Sequence, residues 1–228
     1  MSERDQILGR IREALQTKAP LSGSQGGSPD YAVAQPPAAH ARDWLPSVGK
    51  QLDSQFSLFA YNAADLKAEF QLLNSAAEAR QALLQLHNAS GWKKVAGHSG
   101  GLTDAVCSIL DVPLLRTDRP YDVQELEKCD AGITECDGLI AQTGSVVVTS
   151  RSAGGRVLSV LPPHHIVLAR REQLVPDLPA AFDLLREKYA PDYPSMISFI
   201  TGPSRTGDIE RILVLGAHGP KKLTILCY

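Results

Sequence analysis

The stretch GWKKVAGHSGGLTDAVCSILDVPLLR, residues 91–116, decides the fold. Gly91 closes a helical run that carries Leu83, Leu84 and Leu86, as glycine often does just past a helix end. Val95 and its neighbours read as a strand, residues 103–110 as a helix and 112–115 as another strand. Strands separated by helices of this length imply βαβ units and a mainly parallel sheet.

The same alternation extends outward in both directions. Upstream, Leu58 and Phe59 place a strand at 57–61, and Asn62 and Asp65 open a helical stretch through Leu66, Phe70 and Leu73. Downstream, 139–142 and 145–149 are short apolar runs joined at Thr143-Gly144. A turn at 152–155 precedes a strand at 165–169. Residues 178–189 return to a helical period stopped by Pro191, and 196–200 and 223–227 are the last two strands. The expectation is a three-layer α/β domain with a mainly parallel sheet over residues 44–228.

Residues 1–43 read differently. Ser2, followed three residues on by Asp5, can cap an amphipathic helix over 2–18, with Ile7, Leu8, Ile11 and Leu15 on one stripe. Residues 19–37 are dominated by Gly, Pro, Ser and Gln, too polar to offset their ordering entropy. The expectation is a helical arm on a flexible linker.

Composition excludes several classes. The chain has 228 residues, 43% hydrophobic and 21% charged, which suits a globular protein with a real core. A formal charge of -2 and a pI near 6.3 carry no basic stripe of the kind nucleic-acid binders show. The pairs Lys93-Lys94, Arg170-Arg171 and Lys221-Lys222 are expected to flank strands. Cys107, Cys129, Cys136 and Cys227 have neither zinc nor ferredoxin spacing. They read as ordinary thiols of a cytoplasmic chain, and no apolar run approaches the roughly 20 residues of a membrane span.

Four segments could carry chemistry. Thr201-Gly-Pro-Ser-Arg-Thr-Gly-Asp-Ile-Glu210 follows an apolar strand and is expected to enter a short helix. There, free N–H groups with Ser204, Thr206 and the fork of Arg205 would hold a carboxylate or phosphate. Asp208 and Glu210 would face away or accept from a hydroxyl or an amine. In the second segment, Gly216-Ala-His-Gly-Pro220, His218 is suited to acid–base work at a sheet end. The third runs from Gly132 to Asp137 and on to Thr143-Gly144-Ser145. Glu135 and Asp137 could form a carboxylate pair, although a solvated loop is the plainer reading, while Thr143 and Gly144 could meet a ligand. The last is His164-His165: adjacent strand residues point to opposite faces, which makes a poor metal pair, and no metal site is expected.

In that order, Gly-Ile-Thr, Ala-Gln-Thr-Gly-Ser, Leu-Pro-Pro-His-His-Ile, Ser-Arg-Thr-Gly-Asp-Ile-Glu and Gly-Ala-His-Gly-Pro resemble the lactate utilisation protein C family, the LUD domain. The resemblance implies a fold similar to the glucosamine-6-phosphate deaminase, ribose-5-phosphate isomerase and CoA-transferase group. It also implies a part in oxidising L-lactate to pyruvate with partner proteins, which would carry the iron–sulfur clusters; no cofactor is expected in this chain. Carried over, the site is Thr143, Gly144, Ser204, Arg205 and Thr206 for the ligand, with His218, Glu210 and Asp208 for catalysis. Gln142 stands where the family pattern has an acidic residue, and a carboxamide cannot act as a carboxylate nucleophile. The alternatives are a non-catalytic subunit binding a small anion and, by fold analogy alone, a sugar-phosphate isomerase or transferase.

Overall fold

Short runs of β-branched and aliphatic residues, buried on both faces, build the centre of the molecule, as parallel strands between covering layers require. The computed structural model describes residues 47–209, 212–216 and 218–228, together with Gly9; the side chains of 206–209 and 212–215 lie outside that description. The strands are β1 (Glu69–Leu72), β2 (Val95–Gly97), β3 (Leu114–Arg116), β4 (Ala131–Glu135), β7 (His164–Ala169) and β12 (Lys222–Cys227). They form one six-stranded sheet in the order β1-β12-β7-β4-β2-β3, and every pairing is parallel. Lys93-Lys94 precede β2, Arg170-Arg171 follow β7 and Lys221-Lys222 open β12, so the basic pairs do flank strands.

Two helices cover one face. In α2 (Ala76–Ser90), Ser75 accepts from the Glu78 amide at the start and Gly91 ends the helix in the left-handed conformation. Beside it, α3 (Gly101–Cys107) buries Leu102, Val106 and Cys107. Leu83, Val106, Ile133, Ile166 and Leu226 meet in that layer's core.

The other face carries α1 (Leu52–Asp65) and a second sheet. Strands β5 (Gly138–Ile140), β6 (Ser145–Thr149), β8 (Leu174–Val175) and β9 (Ile197–Ile200) run in the order β8-β5-β6-β9. Phe59, Leu139, Val146, Val167 and Ile225 close the core between the sheets. Ile140 and Val147, on the second sheet's outer face, pack under α5 (Leu178–Tyr189), whose N-cap Asp177 accepts from the Ala180 amide. A short helix, α4 (Val123–Glu127), packs Leu126 in a cluster with Ala96 of β2 and Leu158. The α/β architecture with a mainly parallel central sheet is as expected; the separate second sheet is an addition to it.

Four expectations are corrected. Residues 57–61 lie inside α1, because Phe56, Phe59 and Ala63 fall on one helical face and are all buried. The helical stretch expected through Phe70 and Leu73 ends at Asp65, and β1 follows, pairing with β12. Residues 131–135 are a buried central strand rather than a solvated loop. The segment after β9 enters no helix: β10 (Arg205–Ile209) and β11 (Ile212–Leu215) form an antiparallel hairpin. The expected arm and linker over 1–43, apart from Gly9, lie outside the described residues, as does Glu210.

Candidate functional site

The cavity that draws the sequence motifs together has a volume of about 190 Å³. It sits between the two sheets, where the 202–204 and 218–220 loops close over the beginnings of β7 and β12. Its lining includes His165 and Leu223, neighbours in the β7–β12 register, and Ser198 and Ile200 from β9. Because His165 and Leu223 stand at the start of parallel strands, the cavity lies at the amino ends of the central sheet. Open α/β sheets more often bind ligands at the carboxyl ends.

Backbone hydrogen bonds fix the two loops. The Ser204 amide donates to the Pro220 carbonyl at 2.9 Å, and the Gly216 amide donates to the Ser204 carbonyl at 2.9 Å. Lys221 N–H donates to the Pro163 carbonyl at 2.8 Å, tying the second loop to the entry of β7. Ser204 and His218, separated in sequence, thereby line one cavity.

The two histidines of β7 face opposite ways, as their adjacency requires. His165 Nε2 lies 2.8 Å from Thr134 Oγ1, whereas its Nδ1 is buried without a partner. Burial, with a smaller contribution from His164, pushes its pKa down to about 3, so the ring stays neutral. His164 packs edge-on against Trp92 on the other face, and its Nε2 lies 2.9 Å from Thr224 Oγ1. Thr224 donates its own hydroxyl proton to Glu69 at 3.0 Å, so Nε2 of His164 is the donor to Thr224. Burial, helped by Lys222, lowers the His164 pKa to about 4.

Arg205, Thr143 and Gly144 are not among the described residues that line the cavity. Arg205 is exposed and spends one Nη2 hydrogen bond, 2.9 Å, on the Leu66 carbonyl at the end of α1. Thr206 and Asp208 stand on β10 with side chains outside the described residues. Thr143 donates to Ser145 Oγ at 2.8 Å, which in turn lies 2.8 Å from Thr201 Oγ1. Gly144 turns the β5–β6 connection at φ +64°, tight against α1, where Asn62 Nδ2 donates to the carbonyls of Ala141 and Gln142.

Glu135 and Asp137 do not form a pair. Glu135 accepts from the Leu102 and Thr103 amides at the start of α3. Asp137 is buried and accepts from Lys188 Nζ at 2.6 Å and from the Tyr189 hydroxyl. Burial alone would raise the Asp137 pKa, but the bonds from Lys188, Ser152 and Tyr189 outweigh it and hold the carboxyl below its ordinary value. The four cysteines are buried free thiols, and burial raises Cys107 and Cys227 to about 12. Among the described residues no cluster of His, Cys, Asp and Glu could hold a metal ion, and no helix is long and apolar enough to cross a membrane.

Sequence reasoning did not place His165, Ser159 or Ser198 in a site. A histidine opening an otherwise aliphatic run, His-Ile-Val-Leu-Ala, was the available signal for His165: such a ring must find a partner or a ligand inside the core.

Comparison with known proteins bears on the family and the fold. Lactate utilization protein C of Anoxybacillus flavithermus is 38% identical over 105 residues, 46% of each chain. The protein of that name in Bacillus subtilis is 38% identical over 103 residues, 44% of this chain and 43% of that one. The one in Halalkalibacterium halodurans is 41% identical over 100 residues, 43% of this chain and 44% of the other. The matched segment thus spans less than half the length of these relatives. In fold, the chain is similar to the crystal structure of a DUF162 family protein from Deinococcus radiodurans, with a TM-score of 0.62 and 20% identity over 78% of this chain and 99% of that one. The family model of the LUD domain matches residues 64–228, well over half of the chain, and the protein belongs to the LUD domain family.

Proposed function

We propose that this chain is a cytoplasmic component of an L-lactate utilisation system, a non-redox subunit that helps oxidise L-lactate to pyruvate alongside iron–sulfur partner proteins. Family membership and the name shared by its relatives support the lactate role. In this reading electrons pass through clusters on the partners, since hard redox chemistry resides in cofactors. The chain contributes a small-molecule site. The observation that carries this part is the meeting of Ser204, His218 and the buried His165 in one cavity.

The test is affinity purification of the tagged chain from its host grown on L-lactate, read by mass spectrometry, with growth of a deletion strain in parallel. Iron–sulfur proteins recovered in near-equal amounts, with loss of growth on L-lactate, are expected. A chain recovered alone under conditions that keep other complexes intact, from a host whose deletion strain grows normally on L-lactate, overturns the proposal. The alternative of a purely regulatory binding subunit has one observation in its favour: His165 is held neutral by burial and cannot take a proton at neutral pH. On that reading a His218→Ala variant still supports growth on L-lactate.

A further inference from the structure

The edge strands of the two main sheets are not alike. β1 contains Glu69, β3 contains Arg116, and the very short β8 has Glu172 and Asp177 close to its ends. Charges and short length of this kind keep an exposed edge from pairing with another chain. β9 has no such charge: it runs Ile-Ser-Phe-Ile, and no charged residue stands between Tyr193 and Ser204. Pro194 and Pro203 lie beyond its ends and leave the edge itself open. Among the described residues no strand pairs with its outer side.

The pairing with β6 shows which groups that side presents. The Ser150 amide donates to the Met196 carbonyl at 3.0 Å, one step beyond the Thr149–Ile197 pair. Hydrogen-bonded and non-hydrogen-bonded pairs alternate along an antiparallel ladder. Ser198 and Ile200 therefore bond to β6, and the N–H and C=O groups of Ile197 and Phe199 point away from it. The outer face of the same edge is apolar. Ile197 is exposed, the Phe199 ring lies 5.3 Å from that of Phe182, and Phe182 is itself 57% exposed.

We infer that the β9 edge is a dimer interface, closed by a second copy of this chain. Antiparallel pairing about a two-fold axis at Phe199 sets Phe199 opposite its own counterpart and Ile197 opposite Thr201. The outward N–H and C=O of Phe199 then bond to the same groups of the other copy. A two-fold axis sets residues near it against themselves, which repels wherever they are charged. The uncharged run 193–204, centred on β9, meets that condition, which the other three edges do not. The Phe182–Phe199 pairs of the two copies come together on the outer face. Ser198 and Ile200, on the inner face of the strand, wall the cavity, so the pairing braces that wall in each copy. The inference goes beyond the lactate role and does not depend on it.

The experiment is sedimentation equilibrium of the purified full chain across the micromolar range. The expected mass is twice the 24.6 kDa of one chain. Phe182→Lys, at an exposed side chain, should weaken the dimer at least about tenfold. Leu72→Lys, exposed on the β1 edge, should leave it unchanged. Cysteine variants test the register, since the native cysteines are all buried. Phe199→Cys should be trapped as a disulfide on mild oxidation, because the two Cα atoms of a hydrogen-bonded pair stand about 5.5 Å apart. Ile197→Cys should not, because its counterpart lies four residues along the strand, about 14 Å away. If Phe199→Cys does not fold, the Phe182→Lys and Leu72→Lys variants decide alone. A chain that stays monomeric throughout, its β9 edge taken by another partner or by none, overturns the inference. So does a dimer that Phe182→Lys leaves intact and no Phe199→Cys disulfide traps.

Discussion

Gly91 and Gly144 share a φ of +64° and differ in what surrounds them, which makes their alanine variants a matched pair. At Gly91, past the end of α2, an added Cβ meets nothing within 4 Å. Gly91→Ala should therefore cost only the left-handed conformation, about 1 kcal/mol. At Gly144 the same atom would lie 2.6 Å from the Ala63 nitrogen and 2.8 Å from the Asn62 carbonyl carbon. Both are backbone atoms of α1, so no side chain can swing aside. The helix must recede, stretching the two 2.9 Å bonds from Asn62 Nδ2 to Ala141 and Gln142 and loosening the fully buried Phe59 and Ala63. At about 1 kcal/mol for each hydrogen bond, 1–3 kcal/mol for overpacking and about 1 kcal/mol for the left-handed conformation, Gly144→Ala should cost about 5 kcal/mol in all.

That is a large part of a typical 5–15 kcal/mol total stability. Urea unfolding, read as a change in midpoint at constant slope, separates the two variants directly. In thermal unfolding the difference should be roughly 10 °C for a chain of this size. Two variants within about 0.5 kcal/mol of each other, a gap that surface changes alone produce, would refute the steric reasoning. A Gly144→Ala protein of normal stability that no longer functions would instead place Thr143-Gly144 at the ligand, as the family resemblance implied.

Acid should unfold the protein in two stages. The folded chain keeps His164 and His165 neutral, with pKa values of about 4 and about 3, whereas the unfolded chain protonates its histidines below about 6.5. The unfolded state therefore binds more protons as pH falls from 6.5 toward 4, and stability should decline there by about 3 kcal/mol per histidine. Asp137 works in the lower window. Its folded pKa is depressed, so its contribution is full above the ordinary carboxylate value and is lost as pH falls through the folded one. Asp137→Asn should cost about 1–2 kcal/mol at pH 7, since Lys188 is half exposed and can turn to water, and the gap to wild type should close as pH falls through the depressed folded value. Urea midpoints measured from pH 7 to pH 2.5 check both; a flat profile between pH 6.5 and 4 would rule out the neutral buried histidines.

The parts of the fold that could be read from the sequence are those whose burial is one-sided or capped. Residues 178–189 show a helical period, an Asp177 cap and Pro191 beyond, and α5 has those bounds. The βαβ unit of residues 91–116 was equally readable. The strand expected at 57–61 failed because two adjacent apolar residues, Leu58 and Phe59, fit either period. Phe56 and Ala63, three before and four after Phe59, decide for the helix. Strand β4 was obscured by its own composition: Gly132, Thr134 and Glu135 look solvated, yet Gly132 lets the Leu158 carbonyl approach to where a Cβ would be only 2.5 Å away. Thr134 is buried because it holds His165.

The site was half readable for a related reason. Ser204 and His218 were picked out by their glycine- and proline-rich settings, and the structure brings both to one cavity through the Ser204–Pro220 backbone bond. Which end of the sheet they would occupy was not written in either motif. The rule that ligands gather at carboxyl ends applies to loops leaving the strands of one parallel sheet. Here the first loop leaves β9, a strand of the second sheet, and the second loop enters β12 rather than leaving it. Both features follow from the second sheet, whose antiparallel strands return the chain to the amino ends of β7 and β12. That placement also explains His165. A histidine near the start of a strand is tolerable in a core only if its ring can reach a polar partner, and at this end Thr134 takes one nitrogen.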